Sequence, residues 1–146
     1  MAVVYHKQLA EKIENRTAVF GVNGLGYVGL PLSLRFSEIG FKVIGFDLDE
    51  SKHRAIENSE SYITYISSAA TARAVEVGLT STSDYSKASE CDVILVCLPT
   101  PLDSFREPDL SFIVSSFREI SPYLCKGKMI GLESTTYPGT TSEILG

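Results

Sequence analysis

The chain has 146 residues, 44% hydrophobic and 21% charged, the proportions of a globular domain long enough to bury a core. Its net charge is −5, and no basic cluster could follow a phosphate backbone, which excludes nucleic acid as a partner. No apolar run approaches the ~20 residues that span a bilayer, so no membrane helix is expected.

In chain order, Met1–Arg16 has no basic region followed by an apolar one, unlike a secretory signal. Tyr5, Leu9 and Ile13 recur every four residues there, which predicts a short amphipathic helix as an N-terminal extension. Thr17–Asn23 is an apolar, β-branched run that predicts a strand, and a glycine cluster follows it at once. Tyr27–Ile39 carries two sets four residues apart, Leu30 with Leu34 and Val28 with Leu32 and Phe36, which is helical spacing, with Gly40 where a left-handed C-cap residue belongs. Phe41–Phe46 reads as a second strand, Glu50–Asn58 as a second helix, and Ile66–Val77 as a third. Leu79–Thr82 suits a short strand, and Asp92–Leu98 is strongly strand-like. Leu110–Tyr123 has a helical pattern, and Lys128–Leu132 reads as a final strand.

Continuous apolar strands separated by helices indicate a parallel sheet covered on both faces. The fold class expected is α/β, a Rossmann-like, doubly wound, mostly parallel sheet filling residues 17–146. Thr140 and Glu143 have the spacing of a capping box, which announces a helix just before the sequence stops at Gly146. A helix that short is marginal alone, so the chain is expected to be a fragment truncated at its C-terminus.

Gly24-Leu25-Gly26-Tyr27-Val28-Gly29 fits G-x-G-x-x-G between a strand and a helix, the context in which this pattern binds a dinucleotide. Gly24 permits the tight turn, Gly26 lets the backbone approach a pyrophosphate, and Gly29 lets helix and sheet pack closely. Exposed N–H groups and the helix dipole then hold the phosphate charge. Asp47 ends the second strand 18 residues past Gly29, close to the ~20 expected for a carboxylate that binds the adenosine ribose. With Asp49 and Glu50 close behind, a 2′-phosphate would be repelled, so the cofactor expected is NAD rather than NADP. Lys52 is the nearby cation that weakens this preference, or it lies against the adenine or ribose.

The turn does not say what is oxidised. Further segments do: GLGYVGLPLS (Gly24–Ser33), SYI (Ser61–Ile63), LVCLPTPL (Leu95–Leu102), REPDLS (Arg106–Ser111) and LESTTYPGTT (Leu132–Thr141) occur in this order. From about Thr17 onward the chain resembles the UDP-glucose/GDP-mannose dehydrogenase family, most fully its bacterial UDP-N-acetylhexosamine branch. The resemblance implies two-step oxidation of a UDP-sugar C6 alcohol to a carboxylate by two NAD, through a cysteine that carries thiohemiacetal and thioester stages. That cysteine belongs to a later domain of the family, and no stretch here matches its motif. The resemblance also implies cofactor contacts from Val96, Pro99 and Thr100 in the VCLPT turn and from Ser134 in ESTT. It implies too that Thr135 helps place the water used in the chemistry, and a hydroxyl suits that task because it both donates and accepts. Further implications are a homo-oligomeric full-length protein and a role in surface polysaccharide precursors.

Cys91, Cys97 and Cys125 form no metal-type spacing and are expected to be reduced thiols in a cytoplasmic protein. Cys97 ends a strand where ligands bind, but no local cation lowers its pKa, so its expected role is structural. His6 and His53 are isolated and read as surface residues. Asn23 stands where the family has an aliphatic residue; it either hydrogen-bonds the glycine turn or displaces it. Two rivals remain open: a β-hydroxyacid-type dehydrogenase domain, and a stand-alone NAD-binding or regulatory module. The fragment alone is expected to bind NAD without turnover.

Overall fold

The computed structural model describes residues 4–143. After α1 (Tyr5–Glu14) the chain runs β1 (Val19–Asn23), α2 (Gly29–Glu38), β2 (Lys42–Phe46), α3 (Glu50–Glu57), α4 (Ser68–Val77) and β3 (Leu79–Thr82). A 3₁₀ helix, Tyr85–Glu90, leads into β4 (Val93–Val96); α5 (Ser111–Ile120), a 3₁₀ turn at Ser121–Tyr123, β5 (Met129–Leu132) and α6 (Thr140–Glu143) follow. The predicted helices and strands form at the predicted places, most of them trimmed by one or two residues at their ends. The 3₁₀ helix at Tyr85–Glu90 has no counterpart in the sequence reading: its residues carry no 3.6-residue apolar period.

The five strands form one wholly parallel sheet in the order β3-β2-β1-β4-β5. β1, at its centre, is almost wholly buried, because Phe20 and Val22 take one face and Gly21 and Asn23 the other. On one side Leu25 and Leu30 join Phe20, Val22, Val43, Ile56, Ile63 and Leu79 in the larger core. On the other, Ile44, Phe46, Cys91, Ile94 and Ile120 pack with Ala88 of the 3₁₀ helix. The chain leaves β1 toward β2 and later returns on the opposite side of β1 as β4. The strand order therefore reverses between β1 and β4, and a crevice opens beyond their carboxyl ends.

The capping-box expectation is met only in part. α6 begins at Thr140, but the Thr140 hydroxyl donates to the Tyr137 carbonyl at 2.8 Å instead of standing before the helix as its cap. The side chain of Glu143 lies outside the described residues.

Candidate functional site

The crevice is a cleft of ≈ 910 Å³, the size of a pocket that encloses a whole small ligand. One wall is the glycine turn. Gly24 sits at φ 95°, a left-handed conformation that costs glycine little, and its N–H donates to the Phe46 carbonyl at 2.7 Å. A side chain on Gly29 would overlap the Gly24 carbonyl oxygen, so the helix can start this close to the strand only with glycine there. α2 begins without a side-chain cap. Among the described residues, the N–H groups of Gly26, Tyr27, Val28 and Gly29 have no protein acceptor, and the first three of these residues line the cleft. Unpaired donors at a helix N-terminus beside a cleft are what a dinucleotide's pyrophosphate requires.

Asp47 closes the end of β2. Its Oδ2 accepts the Leu25 N–H at 2.8 Å and the Lys52 ammonium at 2.7 Å, and its Oδ1 accepts the Asp49 N–H at 3.0 Å. The carboxylate thus ties the glycine turn to the start of α3, where Asp49 caps the helix by accepting the Ser51 N–H. The Ser51 hydroxyl and N–H hold the Asp49 carboxyl below the usual range. Lys52 is therefore an ion-pair partner of Asp47, with only a quarter of its side chain exposed.

His53 departs from the sequence reading. It is buried, because it shares with Ile56 the face of α3 that turns inward. Its Nε2 lies 2.9 Å from the Asp47 carbonyl oxygen, and since a carbonyl only accepts, Nε2 carries the proton. His6 is exposed, as expected.

The sequence-derived residues separate into two groups. Gly24, Gly26, Tyr27, Val28, Asp47 and Lys52 line one end of the cleft, and Pro99, Thr100, Ser134 and Thr135 line the other. Leu25, Gly29 and Val96 are buried behind it: Leu25 packs against Gly45, and Val96 pairs with Asn23 and Leu132 in the sheet. The Ser134 hydroxyl donates to the Leu98 carbonyl at 2.6 Å, joining the loops that follow β4 and β5. Cys97 also borders the cleft. Burial, with Glu133 nearby, pushes its thiol up to about 11, so it is protonated at neutral pH and is no nucleophile there.

The Asn23 side chain does not bond to the glycine turn. Its amide nitrogen donates to Ser116 Oγ, and its Oδ1 accepts the Tyr85 hydroxyl at 3.3 Å, while its own carbonyl receives the Cys97 N–H at 2.7 Å. The buried amide is satisfied by α5 and the 3₁₀ helix, and Tyr85 also stacks on Phe46 at 5.7 Å between ring centroids. Sequence reasoning did not single out the cleft's α5 wall, Phe112, Ser115, Ser116 and Glu119. A signal was present: these residues are three, one and three apart, one face of a helix carrying polar groups beside an apolar stripe.

An all-parallel, doubly wound sheet with a glycine turn, a free helix N-terminus and a carboxylate at the next strand's end is a dinucleotide-binding domain. The comparisons narrow this class. Residues 17–146 match the UDP-glucose/GDP-mannose dehydrogenase family, NAD binding domain, and the chain belongs to that family. It is 35% identical over 122 residues to the UDP-N-acetyl-D-glucosamine 6-dehydrogenase of Pseudomonas aeruginosa, covering 84% of this chain and 28% of that protein. It is 35% identical to the UDP-N-acetyl-D-mannosamine dehydrogenase of Escherichia coli (strain K12), covering 87% of this chain and 30% of the relative. Among solved structures, the NDP-N-acetyl-D-galactosaminuronic acid dehydrogenase of Methanosarcina mazei Go1 superposes with a TM-score of 0.82 at 29% identity, covering 99% of this chain and 32% of that one. The chain thus spans under a third of these relatives' length. The part it matches is their NAD-binding domain, which answers the expectations of family, fold class and cofactor together.

Proposed function

We propose that this chain holds NAD for a UDP-sugar 6-dehydrogenase that oxidises the C6 alcohol of a UDP-N-acetylhexosamine to the carboxylate, consuming two NAD. The observation that carries the cofactor half of this reading is the Asp47 carboxylate, bonded to the glycine turn and bordering the same cleft as Ser134 and Thr135. Asp47 and Lys52 would receive the adenosine ribose, with the Lys52 ammonium moving aside as ribose hydroxyls take over its acceptor. The N–H groups of Gly26 to Gly29 would receive the pyrophosphate. Pro99, Thr100 and Ser134 would border the nicotinamide end, and Thr135 would orient the water that hydrolysis of the acyl stage consumes. When bound, NAD accepts the hydride removed from C6.

As the family resemblance implies, the cysteine that carries the acyl group would lie in a later domain; here Cys97 is held protonated, Cys91 is buried, and Cys125 is exposed but does not border the cleft. This chain alone therefore binds NAD without turning over. No helix among the described residues is long and apolar enough to cross a membrane. A cytoplasmic homo-oligomer that makes uronic acid precursors for surface polysaccharide is the setting this reading implies for the whole protein.

Calorimetric titration with NAD and NADP tests the reading. NAD is expected to bind in the micromolar to millimolar range, roughly −8 to −4 kcal/mol. NADP should bind more weakly, because its 2′-phosphate meets Asp47 and the neighbouring Asp49 and Glu50. Asp47→Ala should weaken NAD binding at least about tenfold, since it removes an acceptor and loosens the Leu25 N–H. Equal binding of both nucleotides, or no effect of the substitution, would remove Asp47 from the site.

A further inference from the structure

We infer that Tyr62 and Tyr65 are positioning residues for the phosphate turn, each holding a carbonyl oxygen so that the N–H of the same peptide unit points into the cleft. The inference rests on the cofactor reading above. The Tyr62 hydroxyl donates to the Leu25 carbonyl at 2.8 Å, and the Tyr65 hydroxyl donates to the Tyr27 carbonyl at 3.2 Å. In a planar trans peptide, C=O and the following N–H point in opposite directions. The Leu25 carbonyl shares its unit with the Gly26 N–H, and the Tyr27 carbonyl shares its unit with the Val28 N–H. Gly26 and Val28 line the cleft, whereas neither Tyr62 nor Tyr65 does. The two phenols therefore grip the turn from behind, and the alternate N–H groups face an incoming diphosphate.

A turn flanked by Gly24 and Gly26 needs this grip. Glycine crosses between backbone basins at low cost, so a peptide flip there would turn a carbonyl dipole toward the ligand's phosphates. The support is itself fixed. Ile63 is sunk in the larger core, and the Ser61 hydroxyl bonds both the carbonyl and the N–H of Ile63. The Tyr65 ring stacks on Tyr27, 6.4 Å between centroids. Burial raises the Tyr62 phenol above its usual value, so it remains a donor throughout the neutral range. The Ser61–Ile63 motif thereby gains a function that no contact with ligand would have revealed.

Binding of NAD, ADP and adenosine to the unaltered chain, Tyr62→Phe, Tyr65→Phe and the double variant tests this, by calorimetry and by amide NMR. Adenosine carries the ribose and base but no phosphate. The double variant is expected to bind ADP and NAD about five- to tenfold more weakly, with adenosine affinity unchanged. The Gly26 and Val28 amide signals should move less on adding ADP. Tyr65→Phe alters only an exposed hydroxyl, so it keeps the test open if the double variant melts early; it should show the same selective loss on a smaller scale. Parallel loss of ADP and adenosine would mean general loosening and overturn the inference, as would unchanged ADP binding. If the unaltered chain binds neither NAD nor ADP, the cofactor reading fails and takes this one with it. If it binds both and the double variant matches it, only the tyrosines' role falls.

Discussion

The two ends of the cleft are built differently. The end proposed for adenosine stands on β1 and β2, whose Phe20, Val22, Val43, Ile44 and Phe46 are all buried, and Asp47 stitches turn to helix with three hydrogen bonds. The opposite end stands on β5, an edge strand among the described residues, where Met129 and Ile130 are 49% and 36% exposed. Ser134 and Thr135 sit on the loop after that strand, and the Ser134 hydroxyl donates to the Leu98 carbonyl. The contacts proposed for ribose and phosphate therefore rest on packed core strands, while those proposed for the nicotinamide end depend on loops.

The largest effect expected follows from the contrast between two glycines. Gly29→Ala places a methyl group on the Gly24 carbonyl oxygen, and backbone at that spot cannot yield without opening the turn. The variant should lose about 3 kcal/mol or more of stability, roughly 10 °C in melting temperature, and its NAD binding with it. Gly131→Ala in β5 meets the end of the Leu95 side chain at 2.8 Å, which can rotate aside. That variant should lose only about 1 kcal/mol and keep its NAD affinity. Thermal melts and calorimetry on the pair would break the comparison if both glycines proved equally costly.

Much of this architecture was legible because strand and helix periods reflect burial directly. Val93–Val96 is apolar without interruption since both faces of β4 are covered. The glycine turn and Asp47 could be found because their spacing is local. What escaped depends on contacts between distant segments. Asn23 meets Tyr85 and Ser116, 62 and 93 positions away, so its sequence neighbours could not reveal that its amide is satisfied. His53 read as a surface residue because one histidine among polar neighbours gives no sign of facing inward; only the packing of α3 decides it. Tyr62 and Tyr65 approach the turn from the side away from ligand, 37 and 38 positions from their acceptors.

The Asn23 network supplies a prediction of middle size. Ser116→Ala leaves a buried amide N–H without its acceptor, at a cost of about 1–3 kcal/mol. Adding Asn23→Val removes the orphaned group and should recover part of that loss, although Tyr85 then loses its acceptor. Urea unfolding of the two single variants and the double variant gives the coupling energy. Strictly additive losses would show that Asn23 and Ser116 do not act together, and the adenosine end would then be less tightly knit than the geometry indicates.

The smallest expected effect lies at the amino ends of the central strands, away from the cleft. Asp92 accepts the Val19 N–H at 2.9 Å and the Lys12 ammonium at 2.6 Å, joining α1 to the starts of β1 and β4. Burial works to raise its carboxyl, but the Lys12 ammonium and the Val19 N–H outweigh it and hold the group below its usual range. A carboxyl depressed on folding stabilises fully above its unfolded value, near 3.9, and the benefit fades as pH falls through the folded value. Half of the Lys12 side chain is exposed, so solvent screens the pair and Asp92→Asn should cost only about 1 kcal/mol at pH 7. The difference in melting temperature between the variant and the unaltered chain should shrink as pH drops below about 4. NAD affinity at pH 7 should be the same in both, because no residue of this cluster borders the cleft. A loss of affinity would mean that the two ends of the strands are coupled, and that the end proposed for adenosine draws on support beyond its own turn and helices.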